Sequence, residues 1–371
     1  MSKISSLKPE IVQVTSYYPP HLGGMENYAA QVAERFACKG YTVSVFTSNI
    51  GYSQQKALNF KARVHYLKAL EFAHTPIMFT LFFRLLALPR NSLIHLHVSQ
   101  AISPEVVYLI SRLKKIPYIA HVHIDADPTG RFGFLLGPYK KLFLKRVLRS
   151  ASKIICLSDS QKAIIVKKYP VCVENVISLR NGVDDSYFMK RTIQKRDIPT
   201  ILYVGRLAPQ KNVRRLVEAF SLLKEKAQLR IVGDGEDRGN VEQLIKDLSL
   251  CSVTLVGTKS GEELIEEYKN ADVLAVSSDK EGGAPLVILE ALATGLPVVV
   301  SDIYGIRELL GNMVLLVPNP SPENFANALD EVLSNPDLQQ QLSCKAEENI
   351  KSFRWDSIVT ELEKIYEEVL P

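Results

Sequence analysis

A single carboxylate stands inside an otherwise apolar helix pattern in the second half of the chain. The segment 280–302 reads KEGGAPLVILEALATGLPVVVSD, and its Gly-Gly-Ala-Pro turn opens a helix predicted from Leu286 to Thr294, with Glu290 in the middle. A buried carboxylate is costly unless something hydrogen-bonds it. We therefore expect Glu290 to accept hydrogen bonds from a ligand, such as the vicinal hydroxyls of a ribose. The alternative is a carboxylate satisfied by backbone or by a buried arginine.

The start of this helix and a second loop carry groups that suit an anion. Leu286 and Val287 would present free backbone N–H groups at the helix N-terminus, where the helix dipole favours negative charge. The stretch YVGRLAPQKNVRR places Arg206 and Lys211 around a strand-to-helix turn. Two cations fixed there can pair with the two phosphates of a diphosphate. The alternative is a pair of solvated surface charges.

A third anion-binding turn is predicted near the N-terminal end, in YYPPHLGGMENY. Gly23 and Gly24 let backbone N–H groups approach an anion closely before a helix begins. A plain glycine turn would look the same. The spacing is not GxGxxG, so a dinucleotide fingerprint is poorly supported.

Histidines and aspartates follow one another in PYIAHVHIDAD. His121 and His123 are two apart at a strand end and therefore share one face of the sheet; His121 is predicted to pack or to bind structurally. Asp125 and Asp127 match a short DxD metal motif, but we interpret them as loop acidity because phosphate charge can be balanced by cations and a helix end. No metal site is predicted.

Strand-like runs alternate with helical patterns along the whole chain, which predicts the α/β class with parallel sheets and crossover helices. Between Asn181 and Pro199 the pattern lapses into turn, charge and proline residues. We therefore predict a first domain over 1–185, a second over 186–354 and a C-terminal helix over 355–371 that packs back toward the first. Two doubly wound domains would leave a ligand cleft at the carboxyl ends of their sheets.

Composition excludes several classes of protein. The 371 residues contain 45 Lys and Arg against 40 Asp and Glu, an excess too small to indicate a nucleic-acid partner. Five scattered cysteines without a CxxC pair favour a reducing, cytoplasmic compartment. No signal-peptide pattern opens the sequence, and the longest apolar stretch, 76–89, is too short to span a bilayer.

One segment suits a membrane surface. GFLLGPYKKLFLKRVLRSASK, residues 133–153, places Lys141, Lys145 and Arg149 along one helical stripe, with apolar side chains elsewhere. Such a helix can lie peripherally on an anionic membrane, here the inner face. It can equally be a helix whose apolar side packs on its own sheet.

Several motifs in a fixed order resemble one enzyme family. They are GGMENYAAQVAERFACKGYTVSVFTSN, NGVD, VGRLAPQKN, IVGDG and EGGAPLVILEALATGLPVVVSD, spread from about Ile11 to about Leu310. Together they resemble family 4 of the retaining GT-B glycosyltransferases. The resemblance implies two Rossmann-like domains and transfer of a sugar from a nucleoside diphosphate sugar to an acceptor hydroxyl with retention.

The resemblance also implies roles for individual residues. Arg206 and Lys211 would bind the diphosphate, Glu290 the ribose, and Gly24 would approach the phosphates from the first domain. The loop around Val256 and Gly257 would lie near the base, and His123 would hydrogen-bond the donor sugar.

The first of the family's two acids departs from the pattern. In the family, seven positions separate the paired acids, whereas eight separate Glu281 from Glu290, so that Gly282 stands where the acid is expected. Either Glu281 reaches the donor sugar through a bulge, or the backbone N–H groups of Gly283 and Ala284 take that role.

The predicted enzyme needs no cofactor beyond its donor substrate, and no side-chain nucleophile. Its acceptor would be a glycan, a lipid-linked sugar or a small molecule. Within the same fold, a nucleotide-sugar epimerase or a phosphorylase is the alternative. From other classes, an NAD-dependent oxidoreductase and a non-catalytic nucleotide-sugar-binding protein stay open.

Overall fold

The computed structural model describes residues 9–21, 23–52, 60–72, 75–98, 101–123, 140–189, 196–281, 283–303 and 305–370. The chain divides into two compact units. Unit 1 comprises Met1–Arg180 with Asp356–Pro371, and unit 2 comprises Asn181–Trp355. Each unit contains its own parallel sheet covered by helices, so the predicted α/β class with two doubly wound, Rossmann-like sheets is confirmed.

Unit 1 is built on a sheet that has seven strands among the described residues, in the order β3-β2-β1-β6-β7-β8-β9. All of its pairings are parallel. Its strands and those of a separate β4-β5 hairpin are β1 Ile11–Val14, β2 Val43–Ser48, β3 Arg63–Leu67, β4 Ala69–Phe72, β5 Thr75–Met78, β6 Leu93–Val98, β7 Tyr118–Val122, β8 Lys153–Cys156 and β9 Val176–Ser178. The helices are α1 Gly24–Cys38, α2 Leu81–Leu86, α3 Ser103–Lys114, α4 Lys145–Ser150 and α5 Asp159–Lys168.

The two faces of the unit 1 sheet differ in chemistry. Because successive strand residues point to opposite faces, Ile94, Leu96 and Val98 of β6 join an apolar core with α2, α3 and α4. The alternate residues His95 and His97 point to the opposite face and are also buried. The side of β6 opposite the apolar core therefore carries two buried histidines.

The last helix, α13 Trp355–Val369, belongs to unit 1 from Asp356 onward. Glu363 Oε2 accepts a charged hydrogen bond from Lys39 Nζ at 2.5 Å. Tyr366 is buried, with its ring centroid 4.8 Å from that of Phe36 in α1. Through these contacts α13 and α1 cover the same face of the sheet.

Unit 2 repeats the architecture with strand order β12-β11-β10-β13-β14-β15 among the described residues. These pairings are parallel as well. The strands are β10 Thr200–Val204, β11 Gln228–Val232, β12 Val253–Gly257, β13 Val273–Val276, β14 Val298–Ser301 and β15 Leu315–Val317. The helices are α6 Val213–Ser221, α7 Arg238–Asp247, α8 Gly261–Asn270, α9 Leu286–Ala293, α10 Ile306–Leu310, α11 Pro322–Ser334 and α12 Pro336–Asn349.

Both faces of the unit 2 sheet are apolar, as expected of a parallel sheet with helices on both sides. Along β10, Leu202 and Val204 enter one core cluster, with α9. Ile201 and Tyr203 enter the other, with α6 and α11. The strand order reverses between β10 and β13, and ligands of doubly wound sheets bind beyond the carboxyl ends of the strands at such a point.

The apolar stretch 76–89 is divided between strand β5 and helix α2. Among the described residues, no helix combines the length and the apolar character needed to cross a bilayer. The five cysteines are all free thiols.

Candidate functional site

The loops that follow β10, β11 and β12 interlock through close backbone contacts. Gly233, with φ +143°, lies so close to the β10 loop that a Cβ on it would come within 1.9 Å of the carbonyl oxygen of Gly205. The N–H of Gly205 donates to Val232 O at 3.0 Å, and the N–H of Gly233 donates to Gly257 O at 2.9 Å. The IVGDG and VGR motifs therefore hold each other in place.

Arg206 follows directly in this loop and reaches outward. Its side chain is 65% exposed. The guanidinium donates to Glu236 Oε2 from Nε at 3.2 Å and from Nη2 at 2.9 Å. Arg206 is therefore oriented by a carboxylate on the β11 loop and stays accessible to an anion.

Lys211 is held at the carboxyl edge of the sheet by contacts between the β10 and β13 loops. Ser277 Oγ donates to the carbonyl of Lys211 at 3.2 Å, and the N–H of Asp279 donates to Gln210 O at 2.9 Å. The Lys211 ammonium lies 2.5 Å from Glu281 Oε1, and both side chains are mostly buried. Lys211, which is predicted to bind the diphosphate, and Glu281, one candidate for the first acid, are therefore direct neighbours.

The loop that leads into α9 is ordered by a residue from the start of unit 2. Asn181 Nδ2 donates to Ala284 O at 3.0 Å. Pro285 O accepts from the N–H groups of Ile288 and Leu289 at 3.1 and 3.2 Å. The N–H groups of Leu286 and Val287 come before that of Ile288, the first intrahelical donor, and are therefore placed where a helix N-terminus can bind an anion. Gly283 lies in the same loop, and Gly282 lies outside the described residues.

Glu290 is buried in α9 with 8% exposure, and two tyrosines satisfy it. Tyr268 Oη donates to Glu290 Oε2 at 2.8 Å, and Tyr187 is a second side-chain hydrogen-bond partner. Burial raises the pKa of Glu290 to about 7, while the tyrosine hydrogen bonds oppose that rise. Among the described residues, the hydrogen bonds to this carboxylate come from the two tyrosines rather than from backbone or an arginine.

Sequence reasoning missed both tyrosines. Tyr268 is at the end of the charged helix α8, and Tyr187 follows the NGVD motif. Their rings meet edge to face at 5.8 Å. The available signal was a tyrosine in each of two segments that are rich in acidic residues.

Val256 and Gly257 end strand β12 at the same edge of the sheet. Gly257 has φ +81°, a conformation that a residue with a side chain rarely adopts. Its carbonyl accepts the hydrogen bond from Gly233, which links the predicted base-contacting loop to the loop of Arg206.

In unit 1, the glycine turn before α1 is already occupied by a carboxylate. Gly23 is the N-cap and Gly24 the first helical residue. Glu26 is buried and folds back so that a Cβ on Gly23 would lie 2.1 Å from its Oε2. His21 Nδ1 lies 3.1 Å from Glu26 Oε1. The helix start thus carries its own acid, and glycine at position 23 leaves the room for it.

Four histidines form a buried ladder on β6 and β7. His95 and His97 lie on β6, His121 lies on β7 directly opposite His97, and His123 follows the last residue of β7. The ring of Tyr28 from α1 packs edge-on against His121 and His123. Among the four, His123 is nearest the carboxyl edge and keeps the largest exposure, 6%. Sequence analysis singled out only the β7 pair, although LIHLHV has the same His-x-His spacing.

The ladder contains two hydrogen-bonded pairs. His95 Nε2 lies 3.1 Å from His121 Nδ1, and His97 Nδ1 lies 2.9 Å from His123 Nε2. Tyr366 Oη, from α13, lies 2.5 Å from His95 Nδ1. Burial lowers the pKa of His95 and of His123 to about 3, so both rings are neutral at physiological pH.

One group of described residues has the donor types and spacing of a metal site. His95, His97 and His121 bring ring nitrogens within 4.8 Å of one another. Asp125 and Asp127, the DxD pair, lie outside the described residues.

The predicted membrane segment 133–153 is described from residue 140 onward. Leu144, Val147 and Leu148 are buried in the unit 1 core, so this helix packs on its own sheet. Leu142 and Phe143 are nevertheless 54% and 48% exposed.

Family models match nearly the whole chain. The model described as Glycosyltransferase Family 4 matches residues 22–187, and the model described as Glycosyl transferases group 1 matches residues 187–349. The boundary between the two models falls close to the division between the two units.

Curated relatives and solved structures agree with these models. The chain is 26% identical to the uncharacterized glycosyltransferase MJ1607 of Methanocaldococcus jannaschii, covering 96% of this chain and 97% of the relative. It is also 26% identical to the D-inositol 3-phosphate glycosyltransferase of Stackebrandtia nassauensis, covering 92% and 85%. The Anabaena protein HepE, solved with UDP and glucose, superimposes with TM-score 0.79 at 17% identity, covering 97% of this chain and 100% of that one. The chain is therefore a glycosyltransferase of the GT-B fold and belongs to family 4.

Proposed function

We propose that this glycosyltransferase transfers a sugar from a nucleoside diphosphate sugar to an acceptor hydroxyl with retention at the anomeric carbon. The observation that carries the proposal is the Lys211–Glu281 ion pair, which holds an ammonium group at the point where the strand order of unit 2 reverses. Next to it in the chain, the free N–H groups at the start of α9 add a second site for phosphate oxygens.

Different loops of unit 2 would bind different parts of the donor. Lys211 and Arg206 bind the diphosphate, and the N–H groups of Leu286 and Val287 bind its oxygens. Glu290 accepts hydrogen bonds from the ribose hydroxyls, and its two tyrosines hold the carboxylate in position.

The remaining donor contacts follow the same division. Val256 and Gly257 lie beside the base. The donor sugar is bound by Glu281 or by the backbone N–H groups of Gly283 and Ala284. From unit 1 we assign His123 to a hydroxyl of the donor sugar. We assign Gly23 and Gly24 to the phosphates, which must displace the Glu26 carboxylate from this helix start.

The proposed chemistry relies on charge stabilisation. As the glycosidic bond to phosphate breaks, negative charge develops on the diphosphate, and Arg206, Lys211 and the helix end stabilise it in place. The departing phosphate oxygen takes the proton of the acceptor hydroxyl. This route requires neither a side-chain nucleophile nor a metal ion. Loss of activity on chelation that magnesium or manganese restores would contradict the metal-independent route.

For the acceptor side we propose an anionic membrane surface as a partner of unit 1. Leu142 and Phe143 are exposed, and the cations Lys145 and Arg149 follow them closely in the sequence. Exposed apolar side chains flanked by positive charge bind anionic lipid surfaces. This arrangement favours a lipid-linked acceptor over a free glycan or a small molecule. If the protein fails to sediment with anionic vesicles at low salt, this part of the proposal is wrong.

The decisive experiment incubates the enzyme with radiolabelled nucleotide sugars, beginning with UDP-glucose, with and without acceptor. Transfer of label only when an acceptor is present supports the proposal. Interconversion of the sugar without acceptor would indicate an epimerase, and dependence on free phosphate a phosphorylase. A rise in melting temperature with NADH but not with UDP, GDP or ADP would indicate an oxidoreductase. Binding of a donor without turnover would indicate a sensor.

A further inference from the structure

A polar side chain from β1 lies beneath the histidine ladder and contacts helix α1 and His97 together. Gln13 is fully buried. In the orientation that satisfies all of its neighbours, the Gln13 amide oxygen accepts from the Ala33 N–H at 3.1 Å. Its NH₂ group then donates to Ala29 O and to His97 Nε2, both at 3.0 Å.

This orientation is dictated by the backbone of α1. Turning the amide over would place its oxygen against the carbonyl oxygen of Ala29 and its NH₂ group against the N–H of Ala33. Oxygen would then face oxygen and N–H would face N–H in a buried site, where an unmatched polar group costs about 1–3 kcal/mol. The helix thus determines which group Gln13 presents to His97.

The donor-to-acceptor direction of the hydrogen bonds set by Gln13 continues through His97 to His123. Because His97 Nε2 accepts from Gln13, a neutral His97 carries its proton on Nδ1 and donates it to His123 Nε2. A neutral His123 must then carry its own proton on Nδ1. Burial holds the pKa of both rings below the usual value, so each has a single ring proton to place.

We propose that Gln13 and His97 are positioning residues that hold His123 as the neutral tautomer protonated on Nδ1, with Nδ1 as the hydrogen-bond donor available to the sugar. This inference rests on the proposed role of His123 toward the donor sugar. We call this chain of hydrogen bonds the Gln13–His97–His123 wire. Without it, His123 would exchange between two tautomers, and in one of them Nδ1 would present a lone pair to the sugar instead of an N–H group.

The second pair in the ladder provides an internal control. His95 and His121 are hydrogen-bonded to each other, and His95 is also hydrogen-bonded to Tyr366. Among the described residues, neither ring makes a nitrogen-to-nitrogen contact with His123. His95 is as buried as His97 and lies two residues away on the same strand. A His95 variant therefore disturbs the core similarly and leaves the Gln13–His97–His123 wire intact.

A metal ion on His95, His97 and His121 is the competing interpretation of the same cluster. Both ring nitrogens of His97 are already engaged, Nε2 with Gln13 and Nδ1 with His123. A metal ion would need a lone pair on one of them and would break the wire. His121 Nε2 is the one nitrogen of the three rings that is buried without a partner among the described residues, and one free nitrogen does not make a chelate.

Tautomers can be read directly from ¹⁵N-histidine-labelled protein, because long-range ¹H–¹⁵N correlations distinguish protonated from unprotonated ring nitrogens. In the wild type we expect His123 to show a protonated Nδ1 and an unprotonated Nε2. His97→Leu and Gln13→Leu should move His123 toward a mixture. His97→Asn, whose amide can still donate to His123 Nε2, should restore the wild-type pattern, and His95→Leu should not change it.

Kinetics supply the second readout. For His97→Leu we expect kcat to fall on the order of tenfold, the effect of one hydrogen bond of about 1.4 kcal/mol, with a smaller change in the donor KM. His97→Asn should recover most of the loss, and His95→Leu should stay close to wild type. Should His97→Leu fail to fold, Gln13→Leu and His97→Asn carry the same comparison.

Two results would overturn the proposal. One is a wild-type His123 that is protonated on Nε2. The other is stoichiometric zinc binding that His95→Leu abolishes, which would make the ladder a metal site. Failure of the proposed function is distinguished by UDP, GDP and ADP titrations of the wild type: if none binds, the donor assignment fails, whereas the tautomer measurement stands independently.

Discussion

Lys211 Nζ lies 2.5 Å from Glu281 Oε1, and this contact joins the loops that follow β10 and β13. The free protein therefore supplies its own counter-ion at the position where we place the donor diphosphate. A bound phosphate must compete with Glu281 for the ammonium or share it. The ion pair also keeps Lys211 oriented toward the carboxyl edge of the sheet before the donor arrives.

Glu281→Gln should strengthen the binding of a bare nucleoside diphosphate about two- to fivefold, because it removes a competing charge worth up to about 1 kcal/mol at a partly exposed site. Titration calorimetry with UDP measures the change. The gain should shrink in a Lys211→Met background if it acts through the ion pair. Weaker UDP binding by Glu281→Gln would show that the carboxylate itself is part of the nucleotide site.

Arg206→Ala and Lys211→Ala should each lower kcat on the order of a hundredfold, comparable with the loss of one preorganised electrostatic donor. The measurement is transfer of labelled sugar at saturating donor. Lys269→Ala is a suitable control, since Lys269 is also paired with an acid, Glu266, but both residues lie within α8. Full activity of either Arg206→Ala or Lys211→Ala would refute the assigned phosphate role.

The free energy of unfolding of Glu290→Gln, relative to that of the wild type, should increase as pH rises from about 4.5 to about 7. The folded pKa of Glu290 is raised to about 7 from 4.5, so the folded state binds the proton more tightly and loses stability as that proton leaves. The full shift corresponds to about 3 kcal/mol, an upper bound. Urea unfolding at pH 5 and pH 8 measures it.

Tyr268→Phe provides the companion measurement for Glu290. Removing the hydroxyl that donates to Glu290 Oε2 should raise the carboxyl pKa further and move the pH-dependent loss of stability to higher pH. Wild type and Glu290→Gln losing stability in parallel between pH 5 and pH 8 would show that Glu290 does not titrate there.

Gly233→Ala should destabilise unit 2 by about 2 kcal/mol or more and weaken UDP binding. Its φ of +143° is unfavourable for alanine, and the new Cβ would meet Gly205 O at 1.9 Å, which displaces the loop of Arg206. Gly239→Ala is the matched control, because nothing lies within 4 Å of its Cβ position in α7. That change should be neutral or stabilising by up to about 1 kcal/mol. Equal melting temperatures for the two variants would contradict the predicted clash.

Much of the architecture was predictable because its determinants are local. The hydrophobic period of a strand or helix depends on neighbouring residues. The predicted strand-like runs, from IVQVT in the first half to MVLLV in the second, correspond to β1–β3 and β6–β15. The β4-β5 hairpin was not predicted, because its exposed Leu70 and Phe72 do not follow the pattern of a half-buried strand.

The sequence by itself determined that a carboxylate at position 290 would be buried, that cations at 206 and 211 would follow a strand, and that histidines 121 and 123 would share a face. Only the tertiary structure decided their partners: Tyr268 for Glu290, Glu236 for Arg206, Glu281 for Lys211, and His97 for His123. The reason is physical. Burial and facing direction follow from local periodicity, whereas a hydrogen-bond partner depends on which distant strands and loops the fold brings together.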